Sequence, residues 1–253
     1  MDRELTTDKK RIQTCFKQGF RTYDQQATIQ KRVAEKLVDC LAQQPLFIPT
    51  VFEIGAGSGI LTESLLSKHM VGEYRLNDIV THCFPKLAGI TKSHAVTIAK
   101  DYMGDIEQID LPQQNNLIIS SSVFQWIQRL PTLLNKLSGT QNRGDILAFS
   151  IYTKGTYTEF HQTTGAGLNY LHFDEITTMV EQQYDILHAS QEQHTLSFNT
   201  PKEVLLHMKR TGVNGVGISW NKSQHLHFMR NYPTVNHKYQ LTYVPSYFIL
   251  KRK

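Results

Sequence analysis

The chain has 253 residues, 40% hydrophobic and 19% charged, with a formal net charge of +5, which suits one large globular domain and excludes a disordered or low-complexity chain. No stretch approaches the roughly 20 apolar residues of a membrane span. The charged opening Met1-Asp2-Arg3-Glu4-Leu5 lacks the apolar core of a signal peptide, so a cytoplasmic location is expected.

Taken in order, Asp24 to Gln44 carries apolar side chains at Ile29, Val33, Leu37, Cys40 and Leu41, a spacing that predicts an amphipathic helix closed by Pro45 and Pro49. Tyr23, Ala27 and Gln30 fall on one face of it, where they would either cap a ligand or simply pack. Val51-Phe52-Glu53-Ile54 is an apolar run that ends against Gly55-Ala56-Gly57-Ser58-Gly59, and Leu61, Leu65 and Leu66 continue as a helix from near Ile60 to about His69. Strand, glycine turn and helix in that order bring bare backbone and free N–H groups against a ligand. The spacing is G-x-G-x-G, with Ile60 where dinucleotide folds carry the last glycine of G-x-G-x-x-G. Glu53, ahead of the turn, suits a ligand with a cationic amino acid end. A nicotinamide or flavin site and a merely structural turn are the alternatives.

Glu73 to Ile79 alternates as a second strand, and Asp78, 19 residues after Gly59, stands where a nucleotide-binding sheet sets a carboxylate to accept both ribose hydroxyls. Ala95 to Tyr102 reads as a third strand. The following Gly104-Asp105-Ile106-Glu107 would either accept from an adenine amino group and cover its ring, or form a turn with a capped helix start. Leu117 to Ser120 is a buried fourth strand, and Ser121 to Trp126 leads into a helix with Phe124, Ile127, Leu130, Leu134 and Leu137 inward. Asp145 to Ser150 is a fifth strand, entered through Asn142-Arg143-Gly144. The alternation predicts a parallel sheet with helices on both faces.

Beyond Lys154 the rhythm changes: helices over about Thr156 to Gly165 and Phe173 to Gln182 precede a strand-like Tyr184 to Phe198. A helix over Pro201 to Thr211, capped by Thr200, ends at Gly212; Asn214-Gly215 makes a turn, and a last strand runs from Leu241 to Lys251. From Thr200 to the C-terminus nine basic side chains face one acid, Glu203, so this segment is +8 and the remainder −3. Such a field attracts an acidic partner, nucleic acid or protein, unless it is only a solvated surface.

The glycine turn with its preceding acid resembles the first motif of the class I methyltransferases that use S-adenosylmethionine. A wider set is similar, over nearly the full chain, to one subfamily: the biotin-pathway methyltransferases that esterify the free carboxyl of malonyl-acyl carrier protein. It comprises Phe20, Tyr23-Asp24, Ala27 and Gln30, then Glu53 to Gly59, Asn77-Asp78, Gly104 to Glu107, and Ile118 to Ser120 running to Gln125-Trp126. Phe149-Ser150, Gly155-Thr156 with Glu159, Lys209 to Gly215 and Leu241-Thr242-Tyr243 complete it. Gln125-Trp126 and Thr211-Gly212-Val213-Asn214-Gly215 are its narrower signals. Two departures are Asn116, where an acid commonly begins the fourth strand, and Asn142-Arg143-Gly144-Asp145 in place of a Pro-Gly-Gly turn.

The resemblance implies a Rossmann-like, doubly wound α/β fold with a mainly parallel seven-stranded sheet. It divides a single domain into an N-terminal helical lid (1–45), a cofactor-binding core (46–153), a mostly helical cap inserted after strand 5 and including a late strand (154–240), and the last strand (241–253). It implies S-adenosylmethionine as co-substrate, held by Tyr23, Gln30, Glu53, Gly55, Gly57, Asp78, Ile79, Asp105, Ile106 and Ser121, and no metal. Tyr23, Gln125 and Trp126 would position the acceptor, and Lys202, Lys209 and Arg210 would receive the acidic carrier protein transiently. A monomer with no membrane or nucleic-acid partner is expected.

A carboxylate acceptor is already ionised at pH 7 and needs no base, which accounts for a sequence without a Ser-His-Asp or paired-carboxylate arrangement. Arg230 is a candidate to grip that carboxylate, and Arg143 reads as structural. Cys15, Cys40 and Cys83 form neither a disulfide framework nor a zinc knuckle, and His225-x-His227 is the one close histidine pair. The alternatives are a methyltransferase for another small carboxylic acid or quinone-like acceptor, an RNA methyltransferase, and a non-catalytic cofactor binder. Against the RNA enzyme, Ser121-Ser122-Val123-Phe124 stands where base-amine methyltransferases carry a polar residue, two prolines and an aromatic.

Overall fold

The structure, a computed structural model, describes residues 9–42, 44–211 and 221–253. Its elements are α1 (Lys9–Gln26), α2 (Thr28–Asp39), β1 (Phe47–Ile54), α3 (Ile60–Leu66), β2 (Met70–Asp78), α4 (Phe84–Ser93), β3 (Thr97–Met103), β4 (Leu117–Ser121), α5 (Leu130–Ser138) and β5 (Ile146–Tyr152). They continue as α6 (Thr158–Thr164), α7 (Phe173–Val180), β6 (Tyr184–Gln191), β7 (His194–Phe198), α8 (Pro201–Arg210), α9 (Lys222–Asn231), β8 (Thr234–Val235), β9 (Lys238–Tyr243) and β10 (Pro245–Arg252).

Leu117-Ile118-Ile119 of β4 and Ile146-Leu147-Ala148-Phe149 of β5 are apolar runs because both faces of the sheet are covered there. The sheet order is β3-β2-β1-β4-β5-β10-β6. Every pair from β3 to β5 is parallel, and β10 runs antiparallel between β5 and β6. Ile29, Val33 and Leu37 of α2, Leu65 of α3 and Leu87 of α4 pack with Val51 and Tyr74 in one core. Leu133, Leu134 and Leu137 of α5 and Ile176 of α7 pack in another with Phe52, Ile118, Phe149 and Phe248. Each such side chain contributes about 1.5–3 kcal/mol by leaving water. The strand order reverses between β1 and β4, so a crevice opens beyond their carboxyl ends, where α/β sheets bind ligands.

Several boundaries differ from the sequence reading. The single helix expected over Asp24 to Gln44 is two helices bent at Ala27 (φ −81°, ψ 44°), and α1 begins fifteen residues earlier than that reading, at Lys9. Tyr23 and Gln30 therefore sit on different helices. The helix expected directly after Phe124 is a 3-10 turn, Phe124–Trp126, followed by α5, because Pro131 has no N–H to continue a helix and instead starts one. The last strand is β9 and β10, divided before Pro245, which opens β10. The strand-like Tyr184 to Phe198 is likewise β6 and β7. Strands β7, β9 and β8 form a separate three-stranded antiparallel sheet, an addition to the helices expected in the inserted segment. The predicted stop at Gly212 and turn at Asn214-Gly215 lie outside the described residues.

Candidate active site

The floor of the crevice is the glycine turn. Gly55, Gly57 and Gly59 all have positive φ, at 71°, 51° and 87°. A side chain at Gly55 would also lie 2.3 Å from a Val123 methyl, so that position tolerates only hydrogen. The Gly55 and Ala56 N–H groups donate to the Asn77 carbonyl at 2.9 and 3.0 Å, which ties the turn to the end of β2. The next residue, Asp78, accepts from Gly57 N–H at 2.7 Å and Val80 N–H at 2.6 Å, one on each oxygen. Each oxygen keeps a lone pair for a ligand hydroxyl. Burial raises the Asp78 pKa against the pull of these N–H donors.

Two buried polar groups on this floor lack partners. Glu53 is fully buried; its Oε2 accepts from Thr62 at 2.8 Å and Tyr74 at 2.7 Å, and its Oε1 meets nothing. Gln30, on the buried face of α2, lines the crevice with neither amide atom hydrogen-bonded. An unmade hydrogen bond at a buried group costs about 1–3 kcal/mol, so these atoms mark places for ligand atoms.

Helix α1 forms the roof. Its Ile12, Phe16, Phe20 and Tyr23 line a cleft enclosing about 1100 Å³, open mouth included. Phe16 meets the edge of Trp126 with ring centroids 5.6 Å apart. Lys9 pairs with Asp105 at 3.3 Å and Glu107 at 2.7 Å, Gln13 donates to the Ile79 carbonyl at 2.7 Å, and Asp24 pairs with Lys86. The roof is thus tied to the loops after β2 and β3, which supply Ile79, Asp105 and Ile106 to the cleft wall.

Of the residues singled out from the sequence, Tyr23, Gln30, Gly55, Gly57, Asp78, Ile79, Asp105, Ile106, Ser121 and Trp126 meet around this one cleft. Glu53 lies beneath its floor. Gln125 is not among the lining residues: its amide N–H donates to the Ser122 carbonyl at 2.6 Å and its Oε1 accepts from Tyr152 N–H at 3.4 Å. Sequence reasoning missed Lys9, Ile12 and Phe16 as cleft residues. The signal was present in the four- and three-residue spacing of Ile12, Phe16, Phe20 and Tyr23.

No family model matches the sequence. The chain is 33% identical over 253 residues to the malonyl-[acyl-carrier protein] O-methyltransferase of Chlorobium phaeovibrioides, covering 97% of each chain. It is 31% identical to the protein of that name from Acinetobacter baylyi, covering 98% of each. The chain belongs to the malonyl-[acyl-carrier protein] O-methyltransferase family. Solved structures place that family sequence on the class I methyltransferase fold. A methyltransferase-like protein from Bacillus halodurans superposes with a TM-score of 0.64 at 8% identity, covering 86% of this chain and 97% of its own. The N-methyltransferase NodS of Bradyrhizobium japonicum, solved in complex with S-adenosyl-L-homocysteine, gives 0.53 at 11%, covering 93% and 98%.

For this family member the remaining expected residues lie outside the cleft. Lys202, Lys209 and Arg210 are exposed on α8, whose N-cap Thr200 accepts from Glu203 N–H at 3.2 Å. His227 pairs with the Asn231 side chain at 3.1 Å. Among the described residues no group of three or more His, Cys, Asp or Glu side chains is arranged to hold a metal, and no helix is long and apolar enough to cross a membrane.

Proposed function

We propose that the chain transfers a methyl group from S-adenosylmethionine to the free carboxylate of a malonyl thioester on acyl carrier protein, giving the methyl ester that primes pimeloyl synthesis for biotin. The observation that carries this reading is the 33% identity to the Chlorobium relative over 97% of both chains.

The cleft supports it. The unpartnered Gln30 amide and Glu53 Oε1 suit the polar amino acid end of the cofactor, and Asp78 has lone pairs left for the ribose. Ile79 and Ile106 offer apolar walls to the adenine, with Asp105 beside them; Gly55, Gly57 and Ser121 leave room along the floor. When bound, S-adenosylmethionine supplies an electrophilic methyl group and leaves as a neutral thioether. The chain's own residues position and exclude water: α1 covers the cleft, and Tyr23 and Trp126, both lining it, would position the acceptor. No side chain has to remove a proton, because the acceptor carboxylate is ionised at pH 7.

In this reading the enzyme works in the cytoplasm as a monomer, and Lys202, Lys209 and Arg210 on α8 meet the acidic carrier protein transiently. The test is transfer of labelled methyl from S-adenosylmethionine to malonyl-carrier protein, malonyl-coenzyme A, free malonate and bulk RNA in parallel. Base-labile label on the malonyl-carrier protein above all others is expected. Label on RNA alone, or on nothing while the cofactor still binds, would sink the assignment.

A further inference from the structure

Two helices outside the cleft repeat one surface arrangement. On α8, Lys202, Leu206 and Arg210 follow one another at four-residue spacing, and on α9 Lys222, Leu226 and Arg230 do the same. At about 100° of turn per residue, each trio makes a stripe along one side of its helix. The side opposite Leu206 is the buried one, with Val204, His207 and Met208. The side opposite Leu226 carries Phe228, which packs against Phe160 with ring centroids 5.7 Å apart. Both leucines thus stand on the outermost side of their helices, 40% and 44% exposed.

A single exposed leucine on a protein surface needs no explanation. Here the leucine recurs with a cation one turn before it and one turn after it, on two helices that pack against each other. Lys202, Arg210, Lys222 and Arg230 are all exposed, as is Lys209 beside the first stripe. None of the five forms an ion pair with an acid among the described residues. Glu203, the one acid on the two helices, turns back to the Asn199 N–H at 2.8 Å. Arg230, a candidate from the sequence to grip the acceptor carboxylate, lies on this surface and is not among the residues lining the cleft.

Cations alone would suit any polyanion, and the leucines narrow the choice. A nucleic acid backbone offers phosphates with no apolar surface between them, and one leucine per helix is too small an apolar face to enter a bilayer. What fits is a folded acidic protein whose carboxylates stand around apolar side chains.

We propose that α8 and α9 together form the docking face for the acidic carrier protein, with Leu206 and Leu226 as its apolar anchors. Lys222 and Arg230 act there as a second set of steering charges beside Lys202, Lys209 and Arg210. This rests on the methyl-transfer reading of the cleft. The charges speed encounter and lose force in salt, whereas covering the leucines releases water and is not screened. The carrier therefore keeps a salt-resistant part of its affinity, and that part belongs to the leucines.

The experiment compares wild type with Leu206→Gln, Leu226→Gln and the double reversal Lys222→Glu with Arg230→Glu. It measures KM for malonyl-carrier protein and for malonyl-pantetheine at low and high salt, and binding to the carrier, to bulk RNA and to anionic phospholipid vesicles. Each leucine variant is expected to raise KM for malonyl-carrier protein about fivefold or more at both salt concentrations. The reversal is expected to raise it about tenfold at low salt and less at high salt. KM for malonyl-pantetheine should stay within about twofold of wild type, because that substrate needs no docking face. An unchanged carrier KM in the α9 variants, a leucine effect that vanishes in salt, or an equal loss on both substrates overturns the proposal. Variants that bind the carrier normally but lose RNA or vesicles overturn it in favour of that other partner. In each of these outcomes the methyl-transfer reading stands, whereas a wild type that methylates no malonyl thioester overturns that reading, and the proposal with it.

Discussion

Glu53 is an acid with no water around it, and its ionisation is where pH reaches the fold. Burial raises its pKa from 4.5 to about 7, against the hydrogen bonds from Tyr74 and Thr62. In an unfolded chain the same carboxyl ionises at about 4.3. Between those values the folded chain keeps a proton that the unfolded chain has released. The contribution to stability is therefore full below the unfolded pKa and is lost as pH rises to about 7. Glu53→Gln removes the titration and keeps an acceptor for Tyr74 and Thr62. Denaturant unfolding of both proteins should give a stability difference, wild type minus variant, that declines across this window and is flat above it. A constant difference would mean that Glu53 is ionised throughout. A cationic ligand group at Oε1 favours the ionised form, so cofactor binding near pH 6.5 should also release protons, seen as a buffer-dependent enthalpy that Glu53→Gln abolishes.

At the scale of the element, α1 is the least self-sufficient part of the cleft. It has no acid in its first turn and no basic residue in its last, so its dipole is unsupported at both ends. What holds it is the apolar stripe over the cleft, contact with α8, and the ties from Lys9, Gln13 and Asp24. Lys9 and its two acids are largely shielded from water, so this tie outweighs a typical exposed pair, which is worth about 0–1 kcal/mol. Lys9→Ala should speed cofactor dissociation by about three- to tenfold, followed by stopped-flow fluorescence of Trp126 against Phe16, with a melting temperature within about 2 °C of wild type. An unchanged rate would leave the apolar stripe as the only latch. This helix also shows where the sequence was hard to read. Its stripe was visible in the spacing, but Lys9, Lys10, Arg11 and Lys17 make the segment polar overall and mask a face whose Ile12, Phe16 and Phe20 meet both the core and the cleft. The glycine turn, Asp78 and the Gly104 to Ile106 loop were legible because each needs a rare residue at a fixed place. The bridge that Gln125 makes from the Ser122 carbonyl to the Tyr152 N–H was not, because residues thirty apart come together only through the β4 and β5 register, Ser121 beside Ser150.

Across the whole molecule, charge is the property that the sequence displays most plainly and locates least. The excess of basic side chains after Thr200 could be counted, but only the fold shows that α8 packs against α1. Thr22 Oγ1 donates to the Arg210 carbonyl at 3.3 Å, one residue from Tyr23. A carrier protein received on Lys202, Lys209 and Arg210 would therefore sit beside the roof of the cleft, where its acyl arm has the shortest way in. Rim charges of this kind act mainly on encounter rate and are screened beyond about 10 Å at 0.1 M salt. The double reversal Lys209→Glu with Arg210→Glu should cut kcat/KM for malonyl-carrier protein about tenfold or more at low salt, and the loss should shrink as salt is raised. A small malonyl thioester without the carrier should be turned over within about twofold of wild type, because it needs no docking face. An equal loss on both substrates would place the defect in the lid, since Arg210 touches α1 through its backbone, and would separate a disturbed roof from a lost docking surface.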